Sequence, residues 1–197
     1  MKNKEFVVNT LIVSTLIILV ATFNFIDMKK NNKPEEETVT NMQVGYVENN
    51  EEREVVWDDL TMDELVAKLD ANLKSDLAGT GYLFAKYSLE YGVDPYLAVG
   101  ISLHETGCNS TGGCSAHVVD CNNIGGQRFK PTCYAGGTYG RYDTLEEGIE
   151  GFVRNIANNY VAYGMTTAEA MQAKYVGTGS TSWAPAVNRY IENIKNS

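Results

Sequence analysis

Eight of the chain's 18 glycines and all four of its cysteines fall between residues 107 and 142, and nothing else in the sequence restricts the fold as much. A stretch so rich in glycine loses much backbone entropy on ordering and offers few side chains for a core. It reads as an irregular or short-stranded lobe that leans on a neighbouring core. On either side of it the apolar spacing is helical. Thr61 and Glu64 have the form of a capping box, and Leu65, Leu69 and Leu73 then recur every fourth residue. A second helix is expected over about 81–91, with Leu83, Phe84, Tyr87 and Tyr91 on its apolar side and Gly92 closing it. Asp94-Pro95 restarts the chain as an N-cap followed by proline at the first helical position, and Gly107 stops this third helix. Beyond the lobe, Asp143 and Glu146 read as a second capping box. It opens a long helix lined by Leu145, Ile149, Phe152, Ile156 and Tyr160. Thr166 to Glu169 begins a short helix, and a last one is expected from after Pro185 through Ile194. The sum is a mainly α domain over residues 60–197, interrupted by one small irregular or β lobe.

The segment ahead of this domain has a different character. From Phe6 to Ile26 there is no charged residue, and roughly 20 apolar residues suffice to cross a hydrocarbon core. Val20-Ala21-Thr22 is a poor cleavage site and no cysteine follows closely. Residues 1–30 are therefore expected to be an uncleaved signal-anchor, a transmembrane helix, with a cleaved signal peptide as the alternative. Lys2 and Lys4 on one flank nearly balance Lys29, Lys30 and Lys33 on the other, so flanking charge does not choose the side. Residues 31–59, with Glu35-Glu36-Glu37 and Glu51-Glu52, read as an acidic flexible linker. Residues 27–76 carry a net −8 and residues 77–197 only −2. No basic face exists to neutralise phosphates, which excludes a nucleic-acid partner.

Within the domain, Leu97, Ile101 and Glu105 stand four apart on the third expected helix, which places a carboxylate at the end of an apolar stripe. A carboxyl so placed loses hydration, which favours its protonated form. A negative charge in the last helical turn also opposes the macrodipole. Scission of a glycosidic bond needs such an acid to protonate the leaving oxygen. The plainer account is a helix-end glutamate facing solvent.

A wider pattern surrounds Glu105. Leu77-Ala78-Gly79-Thr80-Gly81, Phe84, Tyr91-Gly92-Val93-Asp94-Pro95 and His104-Glu105-Thr106-Gly107 resemble the glucosaminidase family of bacterial peptidoglycan hydrolases, within the lysozyme-like superfamily. Asn122-Asn123-Ile124-Gly125-Gly126, the Tyr142 to Ile149 run, Tyr160, Gly164-Met165-Thr166-Thr167, Met171, Tyr175 and Trp183 extend the likeness over about 77–194. The resemblance implies a lysozyme-like domain that cuts the β-1,4 bonds of peptidoglycan, with Glu105 as catalytic acid and no cofactor. A muramidase or lytic transglycosylase on the same scaffold is the nearest alternative, and a non-catalytic glycan-binding module the more distant one. The resemblance also favours Tyr142, Tyr175 and Trp183 as substrate-binding residues. Tyr134 and Tyr139 are candidates only by their place in the lobe, since aromatic faces with polar tips suit sugar rings.

Two further roles stay open. Asp120 is the only acid between Glu105 and Asp143, so it is the candidate second catalytic group; its alternative is a loop carboxylate bonded to nearby backbone. Some relatives manage with one glutamate and let the substrate's acetamido or 6-hydroxyl group act. Asn123 is a candidate for hydrogen-bonding an N-acetyl group, or for holding its own turn. Cys108, Cys114, Cys121 and Cys133 are expected to form two disulfides with three possible pairings. A zinc site with His104 or His117 is the rival, but no Cys-x-x-Cys pair is present. Disulfides and a peptidoglycan substrate would both put the domain on the extracytoplasmic side of the cell membrane.

Overall fold

The computed structural model describes residues 53–110 and 112–197. The expected anchor, residues 1–30, and most of the expected linker lie outside the described residues. Among the described residues there are seven α-helices and no strand, and none of these helices is long and apolar enough to cross a membrane.

Helix α1 (Met62–Asp70) starts on the expected capping box: the Thr61 side chain accepts from the Glu64 N–H while the Glu64 carboxylate accepts from the Thr61 N–H at 2.8 Å. Asp70 at its far end accepts the Gly81 N–H at 2.7 Å, so α1 caps the start of α2 (Gly81–Tyr91). Gly92 ends α2 in the left-handed region at φ 67°. Asp94 then caps α3 (Pro95–Thr106), accepting from the N–H groups of Tyr96 and Leu97.

Helix α3 is the axis of the domain. Every residue from Pro95 to Leu103 is buried, so the single apolar stripe read from Leu97 and Ile101 understates a helix enclosed on all sides. The C-terminal α7 (Trp183–Lys195) packs most closely along it. Gly100 makes that approach possible, because a Cβ there would lie 2.9 Å from Ile191 and 3.3 Å from the Val187 carbonyl oxygen. α5 (Leu145–Asn159) covers α2, and α6 (Ala168–Tyr175) covers α7. Leu65, Leu69, Phe84, Leu97, Ile101, Ile149, Phe152 and Ile156 make the common core.

Several boundaries differ from the sequence reading. The box that opens α5 is Thr144 with Glu147, one residue later than Asp143 with Glu146, because the hydroxyl of Thr144 is the group that reaches the N3 amide. α7 begins at Trp183, two residues ahead of Pro185. Proline in a first turn costs no hydrogen bond, since that amide has no helical partner. The glycine-rich segment contains one short helix, α4 (Ala116–Cys121), which its composition did not announce. The rest of the lobe has isolated bridges, Arg128 with Tyr139 and Thr132 with Gly140, so its β character is slight. Two disulfides staple it, Cys108–Cys114 and Cys121–Cys133, with Cα separations of 4.6 and 5.5 Å. Finally, the end of the expected linker is docked on the domain. Val56 and Trp57 pack against the core, and Asp58 accepts the Tyr96 hydroxyl at 3.2 Å.

Candidate active site

Helix α3 stays covered until its last turn, where His104 and Glu105 emerge as exposed residues. Thr106 turns back inward, its hydroxyl donating to the Ser102 carbonyl at 2.6 Å, and Gly107 caps the helix at φ 70°. The expectation of a carboxyl shut among apolar side chains is therefore corrected. The apolar face lies behind Glu105, and its head reaches the surface because α7 ends its cover at Trp183.

The Trp183 indole N–H donates to Glu105 Oε1 at 3.0 Å. Trp183 itself is 3% exposed, so its ring is a rigid support under the carboxylate. Oε2 accepts no hydrogen bond among the described residues. Tyr175 stacks on Trp183 with ring centroids 4.6 Å apart and planes 24° apart, and Tyr160 follows with its centroid 5.5 Å from Tyr175. The acid thus stands at one end of a continuous row of three aromatic rings. Burial, reinforced by the negative charge of Glu105, pushes the phenols of Tyr175 and Tyr160 up from their ordinary range. Both hydroxyls therefore stay protonated and able to donate at neutral pH.

The row is assembled from distant segments. Tyr160 ends α5, Tyr175 ends α6, and Trp183 begins α7. A second ring meets Trp183 edge-on, that of His104 at 6.3 Å. Helical spacing puts Tyr160 on the lining of α5 and the family resemblance includes it, but its place in the row rests on tertiary packing that local periodicity does not encode.

The other candidates divide differently. Asn123 is 1% exposed. Its amide donates to the carbonyls of Gln127 and Gly140, and its oxygen accepts from the Gln127 N–H. It holds the turn and is not turned toward a ligand. Tyr142 lies in the seam between lobe and α5. Its hydroxyl donates to Gln127 Oε1 at 2.9 Å, its ring packs on Phe129 at 4.8 Å, and Gly151 leaves the space it fills. Tyr142 thus fastens the lobe to the helical body, whereas the bonds of Asn123 stay within the lobe. Asn122 works with Tyr142, donating to its carbonyl while the Asn122 carbonyl sits hard against Gly148 of α5.

Tyr139 belongs to a separate cluster on the lobe, 4.3 Å from the His117 ring and under the Arg128 guanidinium at 5.4 Å. Tyr134 is 45% exposed there and donates to Asp120 at 2.6 Å. Asp120 is an exposed carboxylate held by that phenol. With all four sulfurs in disulfides, no thiolate remains to hold zinc, and no group of three or more His, Cys, Asp or Glu gathers among the described residues. A scan against protein-family models matches none, and a search of curated proteins finds no relative.

Proposed function

We propose that this chain is a peptidoglycan-cleaving glycosidase, glucosaminidase-like and of lysozyme-like architecture, in which Glu105 protonates the glycosidic oxygen. The observation that carries the reading is the Trp183–Glu105 hydrogen bond. It ties one carboxyl oxygen to a buried, immobile ring and leaves the other for a proton in transit, which is the orientation a general acid needs. The aromatic row beside it leaves Tyr160 and Tyr175 partly exposed, and partly apolar rings with hydroxyls at their tips suit contact with a sugar chain. In this reading the sugar chain runs past the partly exposed Tyr160 and Tyr175, while Trp183 stays buried beneath the carboxylate, and the scissile oxygen comes to Oε2.

Proton delivery breaks the bond between the anomeric carbon and the leaving sugar. The positive charge that develops must be met on the opposite face, by Asp120 or by the substrate's own acetamido or 6-hydroxyl group. Water then adds to the anomeric carbon and returns a proton to Glu105, or the 6-hydroxyl oxygen forms that bond and its proton returns in the transglycosylase alternative. The disulfides support an extracytoplasmic site of action. There residues 1–30 would hold the enzyme at the cell membrane within reach of the wall.

Mass spectrometry of fragments released from purified peptidoglycan tests this reading. New reducing ends on N-acetylglucosamine support it. Reducing N-acetylmuramic acid or 1,6-anhydro ends would instead establish the muramidase or lytic transglycosylase alternative. Intact glycan strands after prolonged incubation would refute enzymatic cleavage.

A further inference from the structure

Lys174 is a cation next to the aromatic row that cleavage chemistry does not use. It precedes Tyr175 in the last turn of α6. Its ammonium stands 5.2 Å from the Tyr160 ring centroid and 4.6 Å from that of Tyr163, and it donates to the Asn159 carbonyl at the end of α5. Two rings and a carbonyl thus fix the position of a side chain that is otherwise flexible. It pairs with no carboxylate among the described residues, whose ion pairs employ Arg53, Lys86, Arg154 and Lys195. An ammonium has three donors, and only the bond to Asn159 is filled here. Beside it Tyr163 is 72% exposed, the most exposed large hydrophobic side chain among the described residues.

We propose that Lys174, set between Tyr160 and Tyr163, binds the carboxylate that the muramyl units of a peptidoglycan strand carry. This rests on the glycosidase reading and adds a specificity element to it. A sugar chain leaving Glu105 past the partly exposed Tyr175 and Tyr160 arrives at a fixed, unneutralised positive charge flanked by an open aromatic face. A neutral strand of N-acetylglucosamine has nothing to offer that charge. A strand with lactyl groups, or with peptides attached to them, presents a carboxylate at regular intervals. Capping of the α5 carbonyl explains why Lys174 points where it does, but it explains neither the unpaired charge nor the uncovered Tyr163 ring.

Titration calorimetry on the full chain carrying Glu105→Gln, which prevents turnover, tests the site with three probes. These are strands bearing peptides, strands stripped of peptides so that the lactyl carboxylate is free, and neutral chito-oligosaccharides. Lys174→Met should reduce the preference for carboxylate-bearing over neutral strands by about three- to fivefold, the scale of one exposed charge contact. Lys174→Arg should retain the preference. A response confined to peptide-bearing strands supports the site and assigns the carboxylate to the peptide. Lys174→Met weakening all three probes in proportion, or leaving the preference intact, overturns the proposal. Failure of the Glu105→Gln chain to bind any of the three would instead count against the glycosidase reading itself.

Discussion

Replacing Trp183 by Phe isolates the contact on which the acid's orientation depends. Phenylalanine keeps a flat ring to stack on Tyr175, 4.6 Å away, but removes the N–H that reaches Glu105 at 3.0 Å. A hydrogen bond to a charged group contributes about 1.5–3 kcal/mol when sheltered. Glu105 is exposed, so water can replace part of the lost contact, and about 1 kcal/mol is the appropriate scale. If that amount is lost from transition-state stabilisation, turnover falls about fivefold. Packing suffers separately. Trp183 is 3% exposed, and shortening a ring so buried costs about 1–2 kcal/mol, or a few degrees in melting temperature. The assay is release of soluble reducing ends from purified peptidoglycan, with circular dichroism melts alongside. Trp183→Leu removes the stack as well and should reduce turnover further. A folded Trp183→Phe variant with undiminished kcat would refute the claim that the indole aims the carboxylate.

Other consequences follow from the same geometry. Gly148→Ala drives a methyl group into the Asn122 carbonyl at the lobe–α5 seam and should cost about 3 kcal/mol or more, read in urea melts. Reduction should destabilise the domain, since closing loops of 6 and 12 residues contributes about 2 and about 3 kcal/mol. Thiol labelling of non-reduced protein should find no reactive cysteine. The Arg53 hydrogen bond and the capping-box bonds from Thr61 hold the Glu64 carboxyl down to about 2. Its folded value lies below its unfolded one, so its stabilising effect is complete above the unfolded carboxylate range and disappears as pH falls toward 2. The melting-temperature gap between wild type and Glu64→Gln should therefore narrow on acidification; a gap independent of pH would contradict this.

Local chemistry made most of the helical frame legible. Thr61 and Glu64, Asp94-Pro95, Gly92 and Gly107 each act on backbone groups within four residues, so their spacing alone marks where helices start and stop. Reading failed where tertiary structure decides. Val118 and Cys121 sustain α4 by burial and by the crosslink to Cys133, neither of which is visible as periodicity. Glu105 was recognisable as an acid at a helix end, but its partner lies 78 residues away, and nothing local foretells that Trp183 would stand beneath it. The two roles open to Asn123 are inseparable in the sequence for a related reason. An asparagine that binds a ligand and one that satisfies a buried turn look alike until the carbonyls of Gln127 and Gly140 are placed around it.

The role of Glu105 is tested most directly by turnover of purified peptidoglycan with wild type and Glu105→Gln side by side. The amide keeps an oxygen to accept the Trp183 N–H, so the fold and the melting temperature should be preserved. Soluble fragments should then appear with the wild type and be lost with the variant, whereas Asp120→Asn should slow release by less. Equal rates of release from wild type and a folded Glu105→Gln variant would contradict the assignment of Glu105 as the proton donor.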